Sequence, residues 1–295
     1  MPPTMADWLN DGVIGDGSLA AALSGFGWVQ RGPLDAVALD HPALVARALA
    51  AFADAGAGLI CTPTLGSNRL AAPAEIGAAR LEDLNRTAAS VCRGVADARP
   101  GRVRVAGQIG PSRRFLETGE VEEDELRDVF REQAGWLARG GVELIWLARF
   151  NSLPELLLAL AASRAAVPLP VVATLVFDSG PDRLETATGD TAATAARRLA
   201  EAGAAAVGCD CAAPETALTL VHQLAEHARR PVCVRTNAGA AELADGRLSY
   251  SEDGGTFASR AAGLRTAGAA LVAGCCGAAV EHIRALSQAW PRAAR

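Results

Sequence analysis

The sequence predicts a single (β/α)8 TIM barrel spanning residues 1–295. Three observations predict it. Apolar, strand-like runs alternate with Ala- and Leu-rich helical stretches along the whole chain. Eight such runs can be counted, most of them followed by a helix, and eight is the strand number of this barrel. The runs are mostly continuous in their apolar character, as in parallel strands covered on both faces. A doubly wound open sheet is the alternative, because periodicity alone does not show closure.

Taken in order, Val13-Ile14-Gly15-Asp16-Gly17 is the first run. A helix is expected over His41 to Ala55, with Asp40 as its N-cap, Pro42 in its first turn and Gly56 as its stop. The second strand is Gly58 to Thr64, followed by a helix from Ala74 to Ala98 that Pro100-Gly101 ends. The third strand is Arg102 to Ile109, with Val103 and Val105 alternating against Arg102 and Arg104. A long amphipathic helix, Glu122 to Arg139, stops at Gly140-Gly141, and its acidic start complements the helix dipole. Val142 to Ala148 is the fourth strand and Leu153 to Ala165 the next helix. Pro170 to Phe177, Ala204 to Cys211 and Pro231 to Asn237 are strands five to seven, with helices at Thr191 to Ala202 and Pro214 to Arg229 between them. A helix over Thr256 to Thr266 leads to the eighth strand, Ala269 to Cys275, and Glu281 to Ala289 closes the series. Two connections are long, Ser18 to Leu39 and Ala238 to Gly255, and the second holds the chain's one tyrosine, Tyr250. Long loops in compact domains are commonly functional.

The totals bound the function. The 295 residues carry a formal net charge of −5, which gives no basis for a nucleic-acid or anionic-membrane partner. The apolar runs are broken well short of a membrane span. Met1 to Asn10 lacks the basic start and apolar centre of a secretory leader. Seven cysteines, an odd number in a chain this long, suit free thiols or metal ligands in a reducing cytoplasm better than a disulfide framework.

Two cysteine groups stand out. Cys275 and Cys276 are adjacent, lie between Gly274 and Gly277, and end the eighth strand. Neighbouring side chains on a regular strand face opposite ways, so both thiols reach one ion only where the strand ends, and the glycines permit that turn. Gly208-Cys209-Asp210-Cys211 ends the sixth strand in a similar setting. Three thiols from two strand ends would hold zinc with one position open, the form of catalytic zinc. The alternatives are core cysteines or a vicinal disulfide, since cysteine is commonly buried. On a regular strand Cys209 shares a face with Cys211, so it could replace or assist a ligand, but it reads rather as a small core residue, as do Cys61, Cys92 and Cys233. Barrel chemistry sits at the C-terminal strand ends. Here those ends bring Asp16, Thr62, Thr64, Gln108, Arg149, Thr174, Phe177, Cys211, Asn237 and Cys275-Cys276 to one rim.

With these residues in view, the chain resembles the homocysteine S-methyltransferases, a family that includes betaine– and S-methylmethionine–homocysteine methyltransferases and the N-terminal module of cobalamin-dependent methionine synthase. The family's Gly-x-Asn-Cys is matched by Gly208-Cys209-Asp210-Cys211, and its Gly-Gly-Cys-Cys-Gly by Ala273-Gly274-Cys275-Cys276-Gly277 with Glu281-His282 beyond. Asp16-Gly17, Gly107-Gln108-Ile109-Gly110-Pro111 and Thr236-Asn237-Ala238-Gly239 match weaker motifs. The resemblance implies Zn2+ held by Cys211, Cys275 and Cys276, and substrate contacts from Asp16, Gly17, Thr62, Gln108, Arg149 and Asn237. It implies a thiol acceptor and a methyl donor such as S-methylmethionine, S-adenosylmethionine, betaine or a separate corrinoid protein.

Three departures bear on the acceptor. The family's Glu that helps hold the homocysteine amino group falls on Ala148, with Arg149 beside it. The family's Gly-Thr-Glu is Ala20-Ala21-Ala22, and the Asn of its second-strand motif is Pro63. Alanine cannot pair with an ammonium group. An acceptor thiol other than homocysteine is therefore expected, lacking the α-amino group or carrying a carboxylate that Arg149 clamps if it faces the site; the alternative is that Arg149 points outward into a surface salt bridge. A catalytically silent family member that binds a ligand or partner is the alternative function.

Overall fold

The computed structural model describes residues 4–180, 182–244 and 247–290. The ends of the 1–295 span, and the centre of the loop between Ala238 and Gly255, lie outside the described residues. Eight parallel strands form one sheet: Val13–Ile14, Leu59–Cys61, Arg104–Ile109, Leu144–Phe150, Val171–Val176, Ala206–Ala212, Val232–Thr236 and Ala269–Gly274. They are called strands one to eight below. The first pairs with the eighth, Val13 opposite Leu271. Closure against strand two runs through one bridge, where the Asp16 N–H donates to the Leu59 carbonyl (2.9 Å) and the Gly58 N–H to that of Ile14 (2.8 Å). The chain is a TIM barrel, with helices outside the strands.

Two packed layers follow from side-chain alternation. Residues 144, 146 and 148 point into the barrel, while 145, 147 and 150 face the helices. Trp146 is a fully buried large side chain in the barrel interior, with small residues such as Ala106, Ala148, Ala206 and Cys233 in the same cluster and the Arg235 guanidinium 5.5 Å from its ring centre. The helix Met5–Asn10, fixed by a Thr4–Asp7 capping box, packs Leu9 onto this interior cluster at the end of the barrel where the strands begin. Strands six and seven approach so closely at Gly208 that a Cβ there would lie 1.7 Å from the Cys233 carbonyl oxygen.

Several boundaries differ from the sequence expectation. Asp40 ends a short helix, Val37–Asp40, and does not cap the next one, Pro42–Asp54, whose N-cap is His41. The residue before proline is pushed out of the helical region, so the break falls one position later than expected. The helix expected from Ala74 begins at Leu81, because Gly77 at φ +72° interrupts the backbone. The alternation expected at the start of strand three is present, with Val103 and Val105 buried against exposed Arg102 and half-buried Arg104, but from Val105 to Ile109 the strand is buried on both faces of the closed sheet. The two long loops are partly ordered, one by the helix Leu19–Gly25 and the other by a hairpin of Ala241–Ala244 against Arg247–Tyr250. Among the described residues no single helix is long and apolar enough to cross a membrane.

Candidate metal and acceptor site

The site is made by two irregular strand ends. Strand four slips against strand five between Leu147 and Phe150, so Ala148 and Arg149 together oppose one residue. Strand six slips against strand seven between Cys209 and Ala212, leaving Asp210 and Cys211 in the same arrangement. Such a bulge adds one residue and redirects its side chain. Arg149 (φ +63°) and Cys211 (φ +50°) are the residues carried into the left-handed region. By alternation both belong to the helix-facing layer, and the bulge turns both inward. The equivalence expected of Cys209 and Cys211 therefore fails. Cys209 packs among the helix-facing apolar residues, while the Cys211 sulfur reaches the mouth of the barrel.

There it meets the end of strand eight. The Sγ atoms of Cys211 and Cys275 are 3.1 Å apart, those of Cys275 and Cys276 are 4.0 Å apart, and all three lie within 4.8 Å of one another. Sulfurs bound at about 2.3 Å around a tetrahedral zinc lie roughly 3.8 Å from each other. The observed spacings bracket that value, so the donor set fits zinc. The glycines are required by space as well as by turning. A Cβ on Gly274 would sit 2.4 Å from the Ala278 Cβ, and one on Gly277 (φ +78°) 2.3 Å from the Tyr250 ring. Asn237 ties the two thiol loops together: its Nδ2 donates to the Cys211 carbonyl (3.1 Å) and its Oδ1 accepts from the Cys276 N–H (3.3 Å). Both ends of its side-chain amide are thus engaged in holding the sulfurs.

Charge is concentrated around the thiols. The Arg149 guanidinium donates to Cys275 Sγ at 3.4 Å and to Cys276 Sγ at 3.8 Å. Attraction to Cys275 is the largest of the effects that hold Arg149 firmly charged. Hydrogen bonds from Cys211 and Cys275, and then the Arg149 charge, draw the Cys276 thiol well below its ordinary range, whereas hydrogen bonds with Cys275 and Cys276, and burial, push Cys211 up against the pull of Arg149. Beneath the sulfurs lies the buried Arg235, 3.9 Å from Asp16 Oδ1 and 4.0 Å from Asp210 Oδ1. Burial raises both carboxyl groups, and Arg235 offsets part of that rise.

A cavity of about 690 Å³ opens over this floor, and Asp16, Gly17, Thr62, Gln108, Arg149, Cys275 and Cys276 are among the residues lining it. Asp16 Oδ2 accepts the Cys61 N–H (2.7 Å), which leaves Oδ1 without a hydrogen-bond partner, and the Gln108 Nε2 is likewise unpaired. Both are buried polar atoms of residues that line the cavity, and Asp16 Oδ1 faces the Arg235 guanidinium. Gly17 is a point of close approach, where a Cβ would come within 2.3 Å of the Ala278 carbonyl oxygen. Thr62 is fully buried, and its hydroxyl accepts the Gln108 N–H (2.9 Å) while bonding to Thr64 (2.6 Å). Arg235 and the supporting role of Asp210 went unread in the sequence. The one signal was a charged residue, Arg235, inside an otherwise apolar strand.

The homocysteine S-methyltransferase family model matches residues 13–290. Methionine synthase of Mycobacterium tuberculosis is 31% identical over 248 residues, which cover 81% of this chain and 21% of that protein. The chain thus spans about a fifth of the length of the methionine synthases it matches. Betaine–homocysteine S-methyltransferase 1 of Sus scrofa is 31% identical over 210 residues, 69% of this chain and 72% of that protein. Among solved structures, the metallated homocysteine methyltransferase MmuM of Escherichia coli superposes with a TM-score of 0.78 at 22% identity, covering 94% of this chain and 96% of that one.

Proposed function

The chain belongs to the homocysteine S-methyltransferase family, and from that premise we propose that it is a zinc-dependent S-methyltransferase whose acceptor is a thiol other than homocysteine. The observation that carries this reading is the meeting of Cys211, Cys275 and Cys276 at one point in the barrel mouth, with the Arg149 guanidinium against them. Those three cysteines would hold the zinc. When bound, zinc supplies a Lewis acid that keeps the acceptor sulfur deprotonated near neutral pH, where a free thiol of pKa about 8.5 is mostly protonated.

The transfer itself is a displacement. The acceptor sulfur forms a bond to the methyl carbon, and the methyl–donor bond breaks with its electron pair leaving on the donor. The protein's task is to hold the two in line and to exclude alternatives. Asn237 keeps the thiol loops in register, and Gly17 lets the chain pass close beneath the cavity. Ala148 is buried in the barrel interior and offers nothing to an ammonium group. The neighbouring guanidinium would repel an ammonium and pair with an acid group on the acceptor. The methyl donor is a sulfonium, an ammonium or a methylated corrinoid. Seven unpaired cysteines suit a reducing cytoplasm.

Purified zinc-loaded protein should be assayed against a panel of thiols with S-methylmethionine, S-adenosylmethionine, betaine and a methylcorrinoid as donors. A thiol that bears an acid group and lacks the α-amino group should exceed homocysteine in kcat/KM by tenfold or more. Homocysteine as clearly the best acceptor refutes the acceptor assignment. Zinc binding with no transfer to any thiol would mark a ligand-binding family member instead.

A further inference from the structure

We propose that Asp210 is a positioning residue that holds the Arg149 guanidinium against the thiol cluster, with the buried Arg235 fixing Asp210 in turn. The importance of that placement for acceptor binding rests on the function proposed above; the placement itself does not. The Asp210 Oδ2 accepts the backbone N–H of Arg149 at 2.7 Å and also bonds to the Thr174 hydroxyl. Thr174 is anchored from behind by the Trp146 Nε1–H at 2.9 Å. The carboxylate of the strand-six bulge therefore reaches across strand five to grip the strand-four bulge at the residue with φ +63°. The bulge carries Arg149 into the left-handed region, which a residue with a Cβ disfavours, so a tether at this residue has something to hold. The tether is the Asp210 oxygen aimed at its N–H, because a buried backbone donor needs an acceptor. On the far side, Asp210 Oδ1 has no hydrogen bond and faces Arg235 at 4.0 Å, so the carboxylate is oriented by charge on one side and by donors on the other. Cys211 follows Asp210 directly, and one bulge thereby places both a sulfur and the support of the arginine that touches its partners.

Asparagine at 210 would keep a side-chain oxygen in the same place and remove the charge. An amide oxygen can still accept the Arg149 N–H, but it has no charge for Arg235 to hold. The test uses Asp210→Ala and Asp210→Asn, each alone and combined with Arg149→Met. Crystals of the metal-free variants report placement independently of activity. In Asp210→Ala, residue 149 should leave the left-handed region and its guanidinium should move away from Cys275; in Asp210→Asn it should stay. With the best acceptor thiol, Asp210→Ala should raise KM at least tenfold with a smaller change in kcat. Asp210→Asn should recover most of that loss, and the effect should vanish in the Arg149→Met background. The proposal is overturned if Arg149 keeps its place in crystals of Asp210→Ala, or if the KM effect persists unchanged with Met at 149. If Asp210→Ala does not fold, Asp210→Asn alone decides by the same crystallographic criterion, a displaced guanidinium counting against the retained N–H acceptor. Absence of methyl transfer in the wild type would defeat the functional reading and leave the crystallographic result standing.

Discussion

Cys211 is strained so that its sulfur can point inward. At φ +50° a residue with a Cβ is disfavoured, whereas glycine is at ease. Stability and metal binding should therefore separate at this position. Cys211→Gly removes the strain together with the thiol. The metal-free variant should melt within a few degrees of the wild type or above it, while zinc affinity falls at least 100-fold in competition with a chelator. Asp35 carries a second residue-scale consequence. It lies in the long first loop, and its Oδ2 accepts the Gly66 N–H at 2.8 Å, joining that loop to the one after strand two. Burial pushes its carboxyl up to about 6, against the pull of that hydrogen bond. A carboxyl raised in the folded state binds an extra proton between its unfolded and folded values, so stability falls as pH rises through that window. Denaturant titrations should show a stabilising contribution that is full below pH about 4 and gone above about 6, amounting to no more than about 3 kcal/mol. Asp35→Asn should flatten the slope.

At the scale of elements, the site depends on two bulges and the side chain that ties the thiol loops. Asn237 bridges the loops after strands six and eight through both ends of its amide. Partners that orient metal ligands commonly contribute 10- to 100-fold to metal affinity. Asn237→Ala should lower zinc affinity by about that factor and leave the melting temperature of the metal-free protein nearly unchanged. The bulges were not legible in the sequence. Cys209 and Cys211 are the same residue type two positions apart, and no pattern of polarity tells which one the chain inverts. Arg149 had the same ambiguity, since its direction depends on whether strand four remains regular. The adjacent pair Cys275-Cys276 was legible because flanking glycines announce an irregular turn. The helix Leu19–Gly25 and the hairpin beyond Ala240 were missed because short elements carry too few residues to show a period.

For the whole molecule, barrel closure turns separate strand ends into one rim. The eight strands could be counted because long apolar runs and Gly or Pro stops are local features. Their closure could not, since it rests on one bridge between Gly15 and Leu59. Pairing and curl of strands six, seven, eight and one bring Cys211 near Cys275 and Asp16 near Arg235, and closure sets Asp16 against the Cys61 N–H. The buried charge layer of Asp16, Asp210 and Arg235 was unreadable for the same reason: each is an isolated polar residue until the sheet curls. In the proposed function, three sulfurs share one zinc whose remaining position admits an acceptor thiol. X-ray absorption at the zinc edge tests it most directly, recorded on the purified protein before and after addition of the best acceptor. One zinc per chain with three sulfur neighbours and a lighter donor is expected, changing to four sulfurs when the thiol is added. Four sulfurs before any thiol is present, or an unchanged sulfur count afterwards, would contradict it.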